Sequence, residues 1–282
     1  MYYAVISVAV VMFGVQFFFN REYQKRCGSS LRAMLVFALG NGAVGTAVLL
    51  IINRFALEFT PFSLFMAFLM AANTVMFTFC SLKALGKINL SLYSVFSMLG
   101  GMVLPFIAGI AFFDEDLTAA KIICIILIAA ALFLTVEKGE SKGGFVWYAG
   151  IFLLNGMSGV ISKIEQAAPF RKTSDAGFSV LAAVLCVVIC AVALIFVKGE
   201  KIKPDKIGLL SIGGAGILSR IGNYLLLLAL SHLPASAQYP FVTGGVMIVS
   251  TVICCFTDEK PTKRELCAVA VSLAGILALV LL

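Results

Sequence analysis

The residue with the most chemistry to offer is Arg220, in the stretch "GILSRIGNYLLLL". It stands near the middle of an apolar run over 207–230. Insertion scales put a central arginine in a membrane helix at about +2.5 to +3.5 kcal/mol, so it must face a wet cavity or an acidic partner. A guanidinium presents a planar fork that suits a carboxylate or a phosphate. Asn223 and Tyr224 lie one helical turn on and share its face. Three readings stand open: a substrate anion site, a structural pair with a carboxylate such as Glu165, or a span placed so that Arg220 nears the interface.

Other polar residues interrupt other apolar runs. Gln16 lies in the first. Asn73, Thr74 and Thr78 lie in the third, Tyr93, Ser94 and Ser97 in the fourth, and Gln238, Tyr239 and Thr243 in the ninth. Such residues either line a pathway or hydrogen-bond one helix to another. Gly100/Gly101 and Gly244/Gly245 suit close helix packing, and Pro105 and Pro240 suit kinks.

Enzyme chemistry has no foothold. There is no HExxH, Walker loop or GxSxG, and the glycines of "GLLSIGGAG" sit inside an apolar run. No enzyme activity, no metal and no cofactor is expected. Eight Cys are scattered without a CxxC pair and read as small apolar filler. Glu165 and Lys163 read as interfacial charges, and His232 as a solvated loop residue.

These residues need a scaffold, and the composition allows one kind. The chain has 282 residues, of which 61% are hydrophobic and 12% charged, with mean hydropathy +1.07. A soluble domain is about 45–50% apolar and about 25% charged. A helix crosses the hydrocarbon core with about 20 mainly apolar residues. Ten runs qualify: 2–19, 31–52, 62–82, 89–112, 119–136, 145–164, 176–197, 207–230, 235–256 and 265–282. Each is continuous, without the alternation of an outer-membrane barrel. The first has no basic leader or cleavage site and reads as a span, not a signal peptide. The net charge of +7 belongs to loops beside the spans, where it fixes topology and meets anionic lipid. No aromatic platform accompanies it, so nucleic acid is not an expected partner.

The chain repeats itself. "GGMVLPFIAGIAFFDEDLT" (100–118) returns as "GGVMIVSTVICCFTDEKPT" (244–262) at an offset of 144. Asp114, Glu115 and Thr118 map to Asp258, Glu259 and Thr262. At an offset of 145, Gly14 maps to Gly159 and Ser91 to Ser236. The expected fold is therefore an all-α integral membrane protein: ten transmembrane helices as two inverted five-helix repeats, 1–136 and 145–282, joined by a polar linker, 137–144. Five spans per unit is odd, so the second copy enters from the opposite side, as in many secondary transporters. Loops opposite the termini hold most of the Lys and Arg, which places both termini outside by the positive-inside rule. The acidic exits Asp114/Glu115 and Asp258/Glu259 are expected at interfaces, ending helices and meeting water or a nearby Lys.

Over its whole length the chain resembles the EamA branch of the drug/metabolite transporter superfamily. The resemblance rests on "FTFCSLKALGKINLSLYSVFSML" (77–99), "NYLLLLALSHLPASAQYPFVTGG" (223–245), the acidic exits "FFDEDLT" and "CFTDEKPT", and a partial match at "MFGVQF" (12–17), where Phe13 stands in place of tryptophan. It implies transport of small metabolites through a central cavity between spans three, four, eight and nine. Small multidrug transporters, relatives of each half, use a glutamate in span one, and this chain has only Gln16 there. The expected function is alternating-access movement of a small polar, anionic or zwitterionic metabolite across the cell (inner or plasma) membrane, by a monomer or homodimer in the lipid bilayer. The alternatives are a lipid-linked sugar or lipid flippase and a non-transporting membrane scaffold.

Overall fold

The computed structural model describes residues 2–28, 30–55, 59–85, 90–134, 145–198, 202–256 and 261–281. The linker 137–144 and the second acidic exit, Asp258/Glu259, lie outside them. The described residues form helices and no strand: α1 (Tyr2–Cys27), α2 (Leu31–Ile52), α3 (Pro61–Leu85), α4 (Leu90–Phe112), α5 (Ala119–Leu134), α6 (Phe145–Ala167), α7 (Asp175–Phe196), α8 (Lys206–Leu230), α9 (Ala235–Cys255) and α10 (Lys263–Leu281). Six of them, α1, α2, α7, α8, α9 and α10, are long and apolar enough to cross a membrane. Large apolar side chains such as Ile195, Phe196 and Phe112 are exposed on the outer surface, as lipid would require. This is a helical membrane protein.

The ends of the helices are set locally. Ser30, Ser174 and Asp205 cap α2, α7 and α8 by accepting from Ala33, Gly177 and Gly208 N–H. The aligned threonines act alike: Thr118 Oγ1 accepts from Lys121 N–H at the start of α5, and Thr262 Oγ1 from Glu265 N–H at the start of α10. Glu265 reaches back to Thr262 N–H at 2.6 Å, which completes a capping box. At the other end of α1, Gly28 takes φ +74 and donates to Gln24 O, a conformation open to glycine at no steric cost. The first span is thus longer than the apolar run 2–19: "NREYQKRC" continues the helix, because polarity ends a hydrophobic stretch without ending helix propensity.

Helix neighbours come in matching sets. α1 packs on α8 and α9, and α6 packs on α3 and α4. α2 packs on α8 and α7 on α3, while α2–α7, α4–α9 and α5–α10 pair across the molecule. Close approach is built on glycine. A methyl group on Gly100 would strike the Phe152 carbonyl of α6. Gly14 of α1 lies against Val249 of α9, and its aligned counterpart Gly159 of α6 lies against Pro105 of α4. Without a hydrophobic force between helices in lipid, such backbone proximity carries the packing.

Candidate functional site

Eight of the helices leave a central cavity of about 710 Å³. Its wall takes Gln16, Asn20 and Gln24 from α1, Asn41 from α2, Thr74 from α3, Ser97 from α4, Asn155, Ser158 and Ser162 from α6, Ser179 and Cys186 from α7, Ser219, Arg220 and Asn223 from α8, and Tyr239 and Thr243 from α9. Phe13, Phe37, Phe77 and Phe178 supply aromatic surface. The end nearest the termini is floored by buried Leu49, Phe178, Leu230 and Tyr239. The other end reaches exposed Gln24 at the last turn of α1, so the mouth lies on the side of the α1–α2 turn.

Arg220 is held in this wall by its surroundings. Its aliphatic stem crosses Gly45 of α2, where a methyl group would collide with Cγ. Its guanidinium shares the cavity wall with the Cys186 thiol of α7. Its Nε is buried with no hydrogen-bond partner. No carboxylate pairs with it among the described residues. Glu165, the candidate partner, accepts from Ser63 Oγ at 3.3 Å instead, and Ser63 Oγ in turn accepts from Thr173 N–H at 2.9 Å. Lys172 caps the same helix end by donating to the Glu165 and Gln166 carbonyls. The structural-pair reading of Arg220 with Glu165 is therefore replaced.

Of the other residues expected at a site, Gln16, Thr74, Ser97, Asn223, Tyr239 and Thr243 line the cavity. Three do not. Tyr224 packs on the buried Leu49, Val180 and Ala183. Asn73 donates to Leu154 O and Ser158 Oγ, and Gln238 donates to Leu226 O. Asn73 and Gln238 tie helices together, since a buried amide needs a partner. The side chains of Thr78 and Tyr93 lie outside the described residues. Asn20 and Gln24 were missed because they fall beyond the apolar run 2–19, although they continue the i, i+4 spacing from Gln16. Asn41 and Asn155 break apolar runs just as Asn73 does, so the same signal was present for them.

The two charges expected near an interface are engaged by protein groups. Glu165 is 1% exposed, because the end of α6 is roofed by the starts of α3 and α7. Lys163 is not left to solvent but meets Glu115 of the first acidic exit at 2.7 Å. Glu115 also accepts from Ala235 N–H, Ser236 N–H and Ser236 Oγ at 2.8, 2.9 and 2.6 Å. Its carboxylate thus caps the N-terminus of α9 from another loop and complements the helix dipole. Burial pushes its pKa up, but Lys163 and the α9 donors outweigh that and hold it below the ordinary carboxylate value. His232 stacks on Tyr2 with centroids 3.9 Å apart, on the same side of the bundle. On the opposite side, Arg26 pairs with Asp205 at 2.6 Å.

No protein-family model and no curated protein matches the chain. Among solved structures that match, a crystal structure of a protein superposes with a TM-score of 0.73 at 16% identity, over 99% of this chain and 96% of that one. That likeness is one of fold, and it spans the whole helical bundle.

Gly45 offers a test of how Arg220 is positioned. Gly45→Ala is expected to push the arginine stem off α2 and to cost about 1–3 kcal/mol as overpacking. Thermal melts should show the loss. A Gly45→Ala protein that melts like wild type would mean that the stem has free room to move.

Proposed function

We propose that this chain is a secondary transporter that moves a small polar, anionic or zwitterionic metabolite by alternating access, as the resemblance to EamA-type transporters implies. The observation that carries the reading is Arg220. It is a cation with a buried, unpartnered Nε on the wall of a central cavity, with no acid beside it among the described residues. A protein keeps such a charge where a ligand completes it.

The helix pairings support two inverted five-helix units, 1–136 and 145–282. Exchanging α1–α5 with α6–α10 turns the α1–α8 and α1–α9 contacts into α6–α3 and α6–α4, which also exist. The aligned pairs Gly14/Gly159 and Thr118/Thr262 do equivalent work in each half. Two such halves can exchange conformations and expose a fixed midplane site to alternate sides. With the basic loops in the cytoplasm of an inner or plasma membrane, the mouth beside Gln24 faces inward, and the Glu115–Lys163–α9 contact closes the outer side. Residues of α1, α2, α6 and α7 join those of α3, α4, α8 and α9 in the wall, so the site is wider than the resemblance implies.

Counterflow in proteoliposomes tests this. Purified full-length protein loaded with unlabelled organic acids or amino acids should accumulate the labelled solute transiently and saturably. If no anion or zwitterion gives counterflow with monodisperse, correctly inserted protein, the transporter reading fails and a scaffold role takes its place.

A further inference from the structure

The charge balance of the cavity and a strip of amides on α1 narrow the ligand class. Among the described lining residues Arg220 is the one permanently charged side chain. No acid lines the cavity among the described residues, and the buried Glu165 and Glu115 are engaged elsewhere, with Ser63 and with Lys163. A single cation in a low-dielectric wall balances a single negative charge. A dianion would bring one charge without a counter-charge. A zwitterion would set its ammonium among amides and hydroxyls with no carboxylate to meet it. A phosphate ester carries about −1.5 to −2 at neutral pH, again more than one guanidinium offsets. A monocarboxylate fits both the charge and the planar fork.

The body of the ligand is read from α1. Gln16, Asn20 and Gln24 recur at four-residue spacing and all line the cavity, so they form one stripe on one helix face. The stripe rises about 12 Å, at about 1.5 Å per residue. α1 and α8 are in contact through Phe19 against Gly214 and Phe13 against Gly222. Gln16 lies between Phe13 and Phe19 on α1 and Arg220 between Gly214 and Gly222 on α8, so the two stand at a similar level. From there the stripe runs toward exposed Gln24 at the mouth. Asn20 Oδ1 is buried without a hydrogen-bond partner, which is costly unless a ligand donates to it. An amide both donates and accepts and carries no charge. Its natural complement is a hydroxyl, which does the same.

We propose that the cavity takes a singly charged, hydroxyl-rich carboxylate of the sugar-acid type, with its carboxylate on Arg220 and its hydroxyls along Gln16, Asn20 and Gln24. This rests on the reading of the cavity as a ligand site and commits further, to charge and to hydroxyl content.

The test uses purified full-length protein, thermal melts and titration calorimetry, with five probes of similar size: gluconate, glucarate, glucosaminate, hexanoate and glucose. Gluconate is expected to raise the melting temperature and to bind at least tenfold more tightly than the dianion, the zwitterion, the unhydroxylated acid or the neutral sugar. Asn20→Leu, which removes the unpartnered atom, should bring gluconate down to the level of hexanoate and leave the ligand-free melt in place. Equal binding of glucarate or glucosaminate overturns the charge assignment. Equal binding of hexanoate overturns the hydroxyl assignment, and absence of gluconate binding overturns both. Should Asn20→Leu fold poorly, the probe series on wild type decides alone. Counterflow of an amino acid without gluconate binding would leave the transporter reading standing and sink this one.

Discussion

Arg220→Ala is expected to abolish anion binding while the ligand-free protein melts at or above the wild-type temperature. Two physical terms set that direction. The guanidinium is the charge that a carboxylate would meet in the cavity, and a bidentate pair of this kind is among the stronger hydrogen-bonded contacts. Removing it also lifts an insertion cost of about 2.5–3.5 kcal/mol and strands nothing ionised, because no acid pairs with it among the described residues. Had Glu165 been its partner, the same substitution would have cost about 3–5 kcal/mol by leaving a buried carboxylate alone. Arg220→Lys should keep the charge but lose the fork, so binding weakens without vanishing. Melts of wild type, Arg220→Ala and Arg220→Lys, with and without an anion identified by counterflow, are the measurement. A large drop in the ligand-free Arg220→Ala melt would sink the site assignment.

Glu115→Ala should produce the opposite pattern, with strong destabilisation and little change in ligand preference. Its side chain is 6% exposed and Lys163's is 13%, so alanine leaves a largely desolvated ammonium unpaired, at about 3–5 kcal/mol. It also removes the acceptor for the first N–H groups of α9, worth about 1 kcal/mol more. The pH dependence follows from the lowered pKa of Glu115. The folded state holds the carboxylate ionised more firmly than the unfolded chain does. The contribution is therefore complete above the ordinary carboxylate pKa of about 4.3 and is lost as pH falls through the lower folded value. Wild type should lose melting temperature on that acid limb, and Glu115→Gln should flatten it. On the proposed transporter reading this clamp is what holds the side opposite the mouth shut, so Glu115→Gln should speed opening there and raise leak or exchange rates. A clean switch of substrate preference with a normal melt would contradict this placement.

The sequence by itself determined the elements and their order. Apolar runs of the length a bilayer needs, with most charges in the connections, leave the helix as the one way to satisfy the backbone, and apart from the end of α1 the helix ends fall within a few residues of those runs. It also located Arg220 and most of the polar residues beside it, because polarity inside an apolar run is expensive wherever it occurs. Periodicity says nothing about which neighbour a helix face will meet, and that is where the tertiary structure decided. It turned Asn73 and Gln238 into ties between helices and Tyr224 into core, while Thr74, Ser97 and Thr243, similar in type and setting, face the cavity. It gave Glu165 to Ser63, left Arg220 without an acid among the described residues, and joined Glu115 both to Lys163 and, 120 residues along the chain, to the start of α9. It also carried α1 past its apolar stretch, so that Asn20 and Gln24 fall in line with Gln16. Apart from the extension of α1, which local helix propensity carries, each of these outcomes depends on contacts between segments distant in sequence. Pairing energies of that kind are set by the geometry of packing, which no local pattern of residues encodes.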